Sequence, residues 1–404
     1  MRRLLLSLLG VIVSIASVNA GKVTEQQALQ KAQQFMKGKK LTSANTKALS
    51  RSDQPEATDA FYIFNAENKG GFVIVSGDDR TVEILGYSDH GELIVDKAPC
   101  NVKWLLECYK HVLDSLALEP KVKAWTRNSS PSRTAIEPLI KTQWGQGAPY
   151  NNMCPEIDGQ KCVTGCVATA MAQIINYHQW PQGYTSGISA YTTGTNGISM
   201  PQLDPTSFNW NEMTDDEIAR LMLYCGQSVN MDYDIYTSGA GNPESVFKDI
   251  FGYSKAVAGT LGVNFSPSHW EEVLYNDLEN GRPVYYSGSN SLGGHAFVVD
   301  GYKDGLFHIN WGWDGDGDGY FLITGITEDI MPYPYDYLTD GIFGIEAPAN
   351  DVSLSGVIVK NCSFFPRSVY RNNSSEDFQQ KAQLSSNLLC DYDGVTFQVG
   401  YGLY

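Results

Sequence analysis

Basic residues are scarce in this 404-residue chain: 29 Lys and Arg stand against 45 Asp and Glu, a formal net charge of −16. Nucleic acids and anionic surfaces are gripped by clustered Lys and Arg. No basic run supplies such a cluster, which argues against both partners. Long apolar runs are also missing. The longest, Leu4–Ala16, is too short to span a bilayer comfortably. Cysteine is sparse, with eight residues in the chain, too few for a scaffold built from disulfides. No internal repeat is present. What remains is a chain 42% hydrophobic, able to build a large core and long enough for two or three domains.

Residues 1–20 read as an export signal: Arg2 and Arg3, then the apolar run, then Val18-Asn19-Ala20 as a cleavage site. No cysteine follows it, so a lipid anchor is not expected. The expected destination is outside the cell or in its envelope. Cys154 and Cys162 bracket a short polar loop and could pair in an oxidising compartment; Cys100 and Cys108 could pair too.

The mature sequence divides by composition. Thr24 to Gln27 is a capping-box pattern that opens a helix with Ala28, Ala32 and Phe35 on its apolar face. Strand-like runs at 60–65, 71–76 and 82–87 are separated by Asn68-Lys69-Gly70-Gly71 and Gly77-Asp78-Asp79-Arg80, both turn chemistry. Residues 101–118 form an amphipathic helix burying Leu105, Leu106, Tyr109, Val112, Leu113 and Leu116. The polar, Pro-containing segment 127–133 is the most convincing boundary. Beyond it, helices are expected at 214–228, 244–251 and 270–280, the last capped by Ser268 with Glu271 completing the box. Strand and turn follow to about Ile345. From Asp351 short alternating runs, 352–359 and 394–400, suggest the start of a β-sandwich-like domain. The expected units are thus 1–20, 21–133, 134–348 and 349–404, and the fold class is α+β.

Chemistry centres on Cys166. It follows Gly165 at the head of a run, Val167 to His178, that is apolar on most sides and therefore a buried helix. Taken alone, such a cysteine is a small core residue. At a helix N-terminus, however, free N–H groups and the macrodipole favour a thiolate, so its pKa is expected to fall. A nucleophilic thiol needs a base. His90 and His111 lie before the linker. His178 is 12 residues on along the same helix, about 18 Å away. His269 flanks a helix, and His308 reads as a sheet-face residue. His295 follows Gly293-Gly294 and opens the apolar strand Ala296–Val299, well placed to face a helix end across a cleft. Asn310, at the end of strand 306–309, would return beside His295 if a hairpin joins the two strands, with Trp311 covering the bond from water. Gln146 in a Gly-Gln-Gly turn is a candidate oxyanion donor beside the Cys166 N–H, with Gln143 as its rival.

Four pieces carry a resemblance: Gln146-Gly-Ala-Pro-Tyr-Asn151, Thr164-Gly-Cys-Val-Ala-Thr-Ala170, Gly293-Gly-His-Ala-Phe-Val-Val-Asp-Gly301 and His308-Ile-Asn-Trp-Gly-Trp313. In order and spacing they resemble the streptopain/interpain family of papain-like cysteine proteases. Residues 71–78 and 83–88 resemble the same family's propeptide; together the match covers roughly 22–345. The resemblance implies a two-lobed papain-like fold and a secreted zymogen acting on proteins or peptides. Its own propeptide would block the cleft until the linker near Arg133 is cut. Cys166 would be the nucleophile, His295 the general acid/base, Asn310 its orienter and Gln146 an oxyanion donor. Trp311 and Trp313 would shield the dyad, with Ser289 and Gly294 at the cleft. The family favours an apolar residue two positions before the cut, in a pocket drawn from the wall before His295.

One stretch departs from that pattern. Asp314, Asp316 and Asp318 alternate with glycines like the start of a calcium loop, yet the closing Glu is replaced by Gly325. No cofactor is expected, with calcium a minor candidate; three carboxylates near the cleft disfavour acidic substrates. Two rival functions share the residues, an acyl transferase on the same triad and an inactive protease-fold adhesin. Amine incorporation would reveal the first, and failure of Cys166 to react with a thiol-directed peptide probe the second.

Overall fold

The computed structural model describes residues 21–44, 60–118, 133–290, 293–327, 330 and 338–348, and beyond them the backbone of two strands, 358–365 and 383–389. The signal segment, residues 119–132 of the linker region and the expected strand 394–400 lie outside the described residues.

The chain opens with α1 (Glu25–Phe35), closed by the expected capping box. Gln27 N–H donates to the Thr24 hydroxyl, and Thr24 N–H donates to Gln27 Oε1 (2.9 Å). An antiparallel meander follows: β1 (Leu41–Ser43), β2 (Phe61–Ala66), β3 (Phe72–Ser76) and β4 (Ile84–Ser88). The β2–β3 turn needs its glycines. Gly71 has φ +109°, and a Cβ there would collide with the Ser88 carbonyl. Helix α2 (Cys100–Ala117) lays its predicted apolar stripe on this sheet.

Helices lead the second unit. A small hairpin, β5 (Glu156–Ile157) and β6 (Gln160–Lys161), precedes α3 (Cys166–His178). The pair β7 (Tyr191–Thr192) and β8 (Ser199–Met200) leads to α4 (Asp215–Ser228). Thr214 caps α4, and Asp215, Asp216 and Glu217 complement its dipole. Then come α5 (Glu244–Asp249), β9 (Ala258–Leu261) and α6 (Pro267–Glu279). The cap of α6 is Ser266 rather than Ser268. Pro267 occupies the first turn, where its missing N–H costs nothing, so the helix starts earlier than expected. Five strands finish the unit: β10 (Val284–Asn290), β11 (Gly293–Lys303), β12 (Leu306–Asn310), β13 (Gly319–Phe321) and β14 (Leu338–Phe343). Separately, β15 (Ile358–Phe365) pairs antiparallel with β16 (Gln383–Leu389).

The units on either side of the linker form one ten-stranded sheet, in the order β1-β2-β3-β4-β13-β12-β11-β10-β14-β9. The join is β4 on β13, where Tyr87 stacks on Tyr320 with ring centroids 5.1 Å apart. Side-chain alternation along β11 divides the core in two. Phe297 and Val299 enter a cluster with α2, α6 and the first unit's sheet, including Leu105, Trp270, Trp311 and Phe321. Ala296 and Val298 face α3 and α4, packing with Met171, Leu221 and Tyr285. This is the expected α+β, two-lobed arrangement. Among the described residues no helix is long and apolar enough to cross a membrane.

Candidate active site

Cys166 is the first residue of α3. Gly165 before it has φ +82°, and a Cβ there would press on Met231 Sδ (2.8 Å) and the Ser238 carbonyl (2.9 Å), so only glycine delivers the chain to this helix start. The turn is braced by a 2.8 Å hydrogen bond between the Thr164 and Thr169 hydroxyls and by Thr164 N–H donating to the Gln146 carbonyl (3.1 Å). That last bond ties the Cys166 turn to the Gln146 loop. Cys166, Gln146, Ser289, Gly294, His295 and Trp313 line one cavity of about 770 Å³. Gln143, the rival donor, lies against Gly315 and is absent from that lining.

The thiol does not have the lowered pKa expected from its helix position. Burial pushes it above the ordinary thiol value, outweighing the N–H groups of Ala296, Val167 and Cys166 itself, which favour the thiolate. A full positive charge nearby would reverse this, but burial also lowers the His295 pKa and favours its neutral form. The His295 Nδ1 lies 3.6 Å from a different sulfur, that of Cys100 at the head of α2. Cys100 is held protonated by burial first and the neighbouring Cys166 second. Burial thus favours the neutral forms of the imidazole and of both thiols.

The first turns of α2 form a wedge. Asn101 Nδ2 donates to the Trp311 carbonyl (2.9 Å). Trp104 fills the space beside Gly288, the residue paired with His295 across β10 and β11; any Cβ on Gly288 would overlap the indole. Sequence reasoning missed Cys100 as a cleft residue and Trp104 as the buried side chain wedged beside Gly288. The available signal was Pro99-Cys100-Asn101, a second thiol at a helix head.

Asn310 does not face His295. The β11–β12 register sets it opposite Val298, and its amide is engaged with Gln173 of α3: Gln173 Nε2 donates to Asn310 Oδ1 (2.9 Å) and Asn310 Nδ2 to Gln173 Oε1 (3.1 Å). Thr142 O and Gly312 N–H complete its bonding. Gln173 was read only as part of a buried helix, yet it is the link from that helix to Asn310. Trp311 is core rather than cleft lining: its ring is fully buried 4.7 Å from Phe297, and its Nε1 donates to the Gly317 carbonyl (3.1 Å).

The remaining candidates resolve as follows. Burial lowers the His178 pKa to about 4 at the far end of α3. His308 pairs with Asp300 (Nδ1 to Oδ1, 2.6 Å) on the sheet. In the acidic loop Asp318 turns inward to accept the Trp311 N–H (2.8 Å), and among the described residues no three His, Cys, Asp or Glu side chains converge on a metal site. Cys154 and Cys162 are free thiols buried in the same core cluster. Cys100 opens into the cleft and Cys108 is buried in the core, and no disulfide joins them, so the expected pairing along α2 does not form.

Two family models match separate stretches of the chain. Residues 144–321 match the model of the peptidase C10 family, and residues 20–113 match that of the Spi protease inhibitor. Streptopain of Streptococcus pyogenes is 32% identical over 302 residues, covering 67% of this chain and 75% of streptopain. The thiol protease/hemagglutinin PrtT of Porphyromonas gingivalis is 31% identical over 392 residues, covering 87% of this chain; the chain spans only 45% of that relative's length. A solved fragment of prointerpain A from Prevotella intermedia superposes with a TM-score of 0.65 at 27% identity, covering 76% of this chain and 99% of the fragment. With this likeness running through both the inhibitor unit and the unit that bears Cys166, the chain belongs to the peptidase C10 family.

Proposed function

We propose that this chain is the zymogen of a secreted cysteine endopeptidase, with its first unit as the inhibitor and proteins or peptides as substrates. The observation that carries this reading is the 3.6 Å contact of Cys100 with His295, in the cavity that also holds Cys166 and Gln146. A side chain of the inhibitor unit occupies the base that the nucleophile needs.

Release of α2 opens the cleft to water and frees His295 to take the Cys166 proton. The resulting imidazolium supplies the charge that burial alone denies the thiolate. Thiolate attack on the scissile carbonyl forms a tetrahedral oxyanion, held by the Cys166 N–H and the Gln146 amide. His295 then protonates the departing amine. In the second half it takes a proton from water, which displaces Cys166 from the thioester. Trp313 excludes stray solvent. Asn310 can orient His295 only after its amide exchanges Gln173 for the imidazole, so activation includes a rearrangement behind the dyad. The export signal and the inhibitor unit together support secretion in latent form.

The test is incubation of purified proprotein beside a Cys166→Ala version, followed by intact mass. Loss of the first unit, about 110 residues, from the native chain alone is the expected result. If neither chain is processed and neither cleaves peptides after a trace of outside protease, the proposal fails.

A further inference from the structure

Two buried carboxylates in this fold are paired with guanidinium cations. Asp78 has Arg80 and Asp277 has Arg282, whereas Asp300 bonds the His308 imidazole and Asp318 accepts a backbone N–H. Asp340, on β14, is also largely withdrawn from solvent, and burial raises its pKa. Among the described residues no Lys, Arg or His acts on it; its partners are neutral. Ser287 Oγ donates to Oδ1, and Asn242 Nδ2 donates to Oδ2 (2.7 Å). A carboxylate has roughly four acceptor positions, so two donors leave room for more.

Its position gives this a purpose. Asp340 pairs with Ser287 across β14 and β10, and Ser287 pairs with Ala296 across β10 and β11. Ala296 directly follows His295, and its N–H bears on the Cys166 sulfur. Asp340, Ser287, Ala296 and Asn242 all line the cavity that holds Cys166. Tyr285 lies between the ends of this row: after burial, the Cys166 sulfur and the Asp340 carboxylate are what keep its hydroxyl protonated. The carboxylate is thus set into the wall before His295, fixed by two side chains and open to whatever enters the cleft.

We propose that Asp340 is the base of a substrate subsite for a cationic side chain, Lys or Arg, two residues before the scissile bond. The apolar part of such a side chain would lie along Tyr285 and Ala296, and its charge would reach the carboxylate. This narrows the substrate class of the peptidase proposed above and rests on that reading; it departs from the apolar residue that the family resemblance implies there. The net charge of −16 favours the same substrates at longer range.

The experiment uses processed enzyme and one peptide series varied only at the second position before the cut: Arg, Lys, norleucine, Leu and Glu. Norleucine matches the Lys stem without its charge. The expected result is a kcat/KM for Arg and Lys roughly tenfold or more above norleucine, as a charge-assisted contact provides. In Asp340→Asn, which keeps the shape and an acceptor, that ratio should collapse toward one. Ser287→Ala, which frees the carboxylate to move, should reduce it in part. A wild-type preference for Leu and norleucine over Arg and Lys overturns the subsite, as does a cationic preference that survives Asp340→Asn. Because Leu and norleucine peptides report peptidase action independently, their cleavage separates failure of the subsite from failure of the enzyme. No cleavage of any peptide overturns both.

Discussion

Replacing Trp104 by Ala removes the side chain that fills the notch at Gly288. Trp104 is 4% exposed, and its indole sits where a side chain on Gly288 would have to go. Truncating a buried Trp typically costs about 3–5 kcal/mol. Trp104 also packs with α2's own neighbours, so the low end, about 3 kcal/mol, is the share to assign to docking. At about 1.4 kcal/mol per decade this raises the population with α2 lifted roughly 150-fold. The assay is the rate of zymogen conversion, followed by intact mass at low protein concentration. Hydrogen exchange along α2 is measured alongside in the Cys166→Ala background, where no processing can interfere. Faster conversion and faster exchange are expected together. A variant that keeps its fold and converts no faster would refute the wedge. Gly288→Ala attacks the same contact from the other side by adding a Cβ that the indole cannot accommodate. Combined with Trp104→Ala it should add little, because the new methyl then has space.

Two further predictions concern titration. Iodoacetamide should modify Cys166 slowly at neutral pH in the intact zymogen, with a rate that climbs only in alkali, because burial holds the thiol above its ordinary value and His295 carries no charge to oppose it. After processing, the rate near neutral pH should be far higher; equal rates, read by peptide mapping to separate Cys100, would contradict the neutral-dyad state. Asp318 tests stability. Burial, the dominant cause, pushes its carboxyl up to about 7 from 3.8. The fold therefore prefers the neutral acid, whose contribution is fully present below pH 3.8 and is lost as pH rises through about 7. Denaturant unfolding of the Cys166→Ala proprotein should thus show stability declining relative to an added Asp318→Asn change between about pH 4 and pH 8, by on the order of 4 kcal/mol. A pH-independent difference would sink this.

Local pattern carried much of the fold and part of the site. The Thr24 box, the α2 stripe and the glycine before Cys166 are written in adjacent residues, and each forms as read. The β11–β12 hairpin forms, but the turn expected over Asp300–Gly305 is confined to Asp304 and Gly305, both with positive φ, because β11 runs on to Lys303. What escaped depends on distant partners. The pKa of Cys166 follows from what covers it, not from its helix position. Cys100 reaches His295 across 195 residues of sequence. Asn310 misses His295 because of strand register, with a shift between Val299 and Gly301 that alternation alone does not reveal. Ser266 and Ser268 flank Pro267, and the proline's preference for the first helical turn decided which one caps.

The sheet that joins β4 to β13 has a consequence for the life of the enzyme after activation. Strand β13 was folded against a neighbour that processing discards, and one apolar cluster runs from Leu105 and Tyr109 to Trp311 and Phe321. The first unit therefore covers one edge of the sheet that bears His295. Once it is lost, β13 keeps its place through β12 alone, and the apolar faces of Phe321 and Trp311 lose much of their cover. On the proposed function, the processed unit should therefore be less stable than the same unit within the proprotein, and its working lifetime shorter.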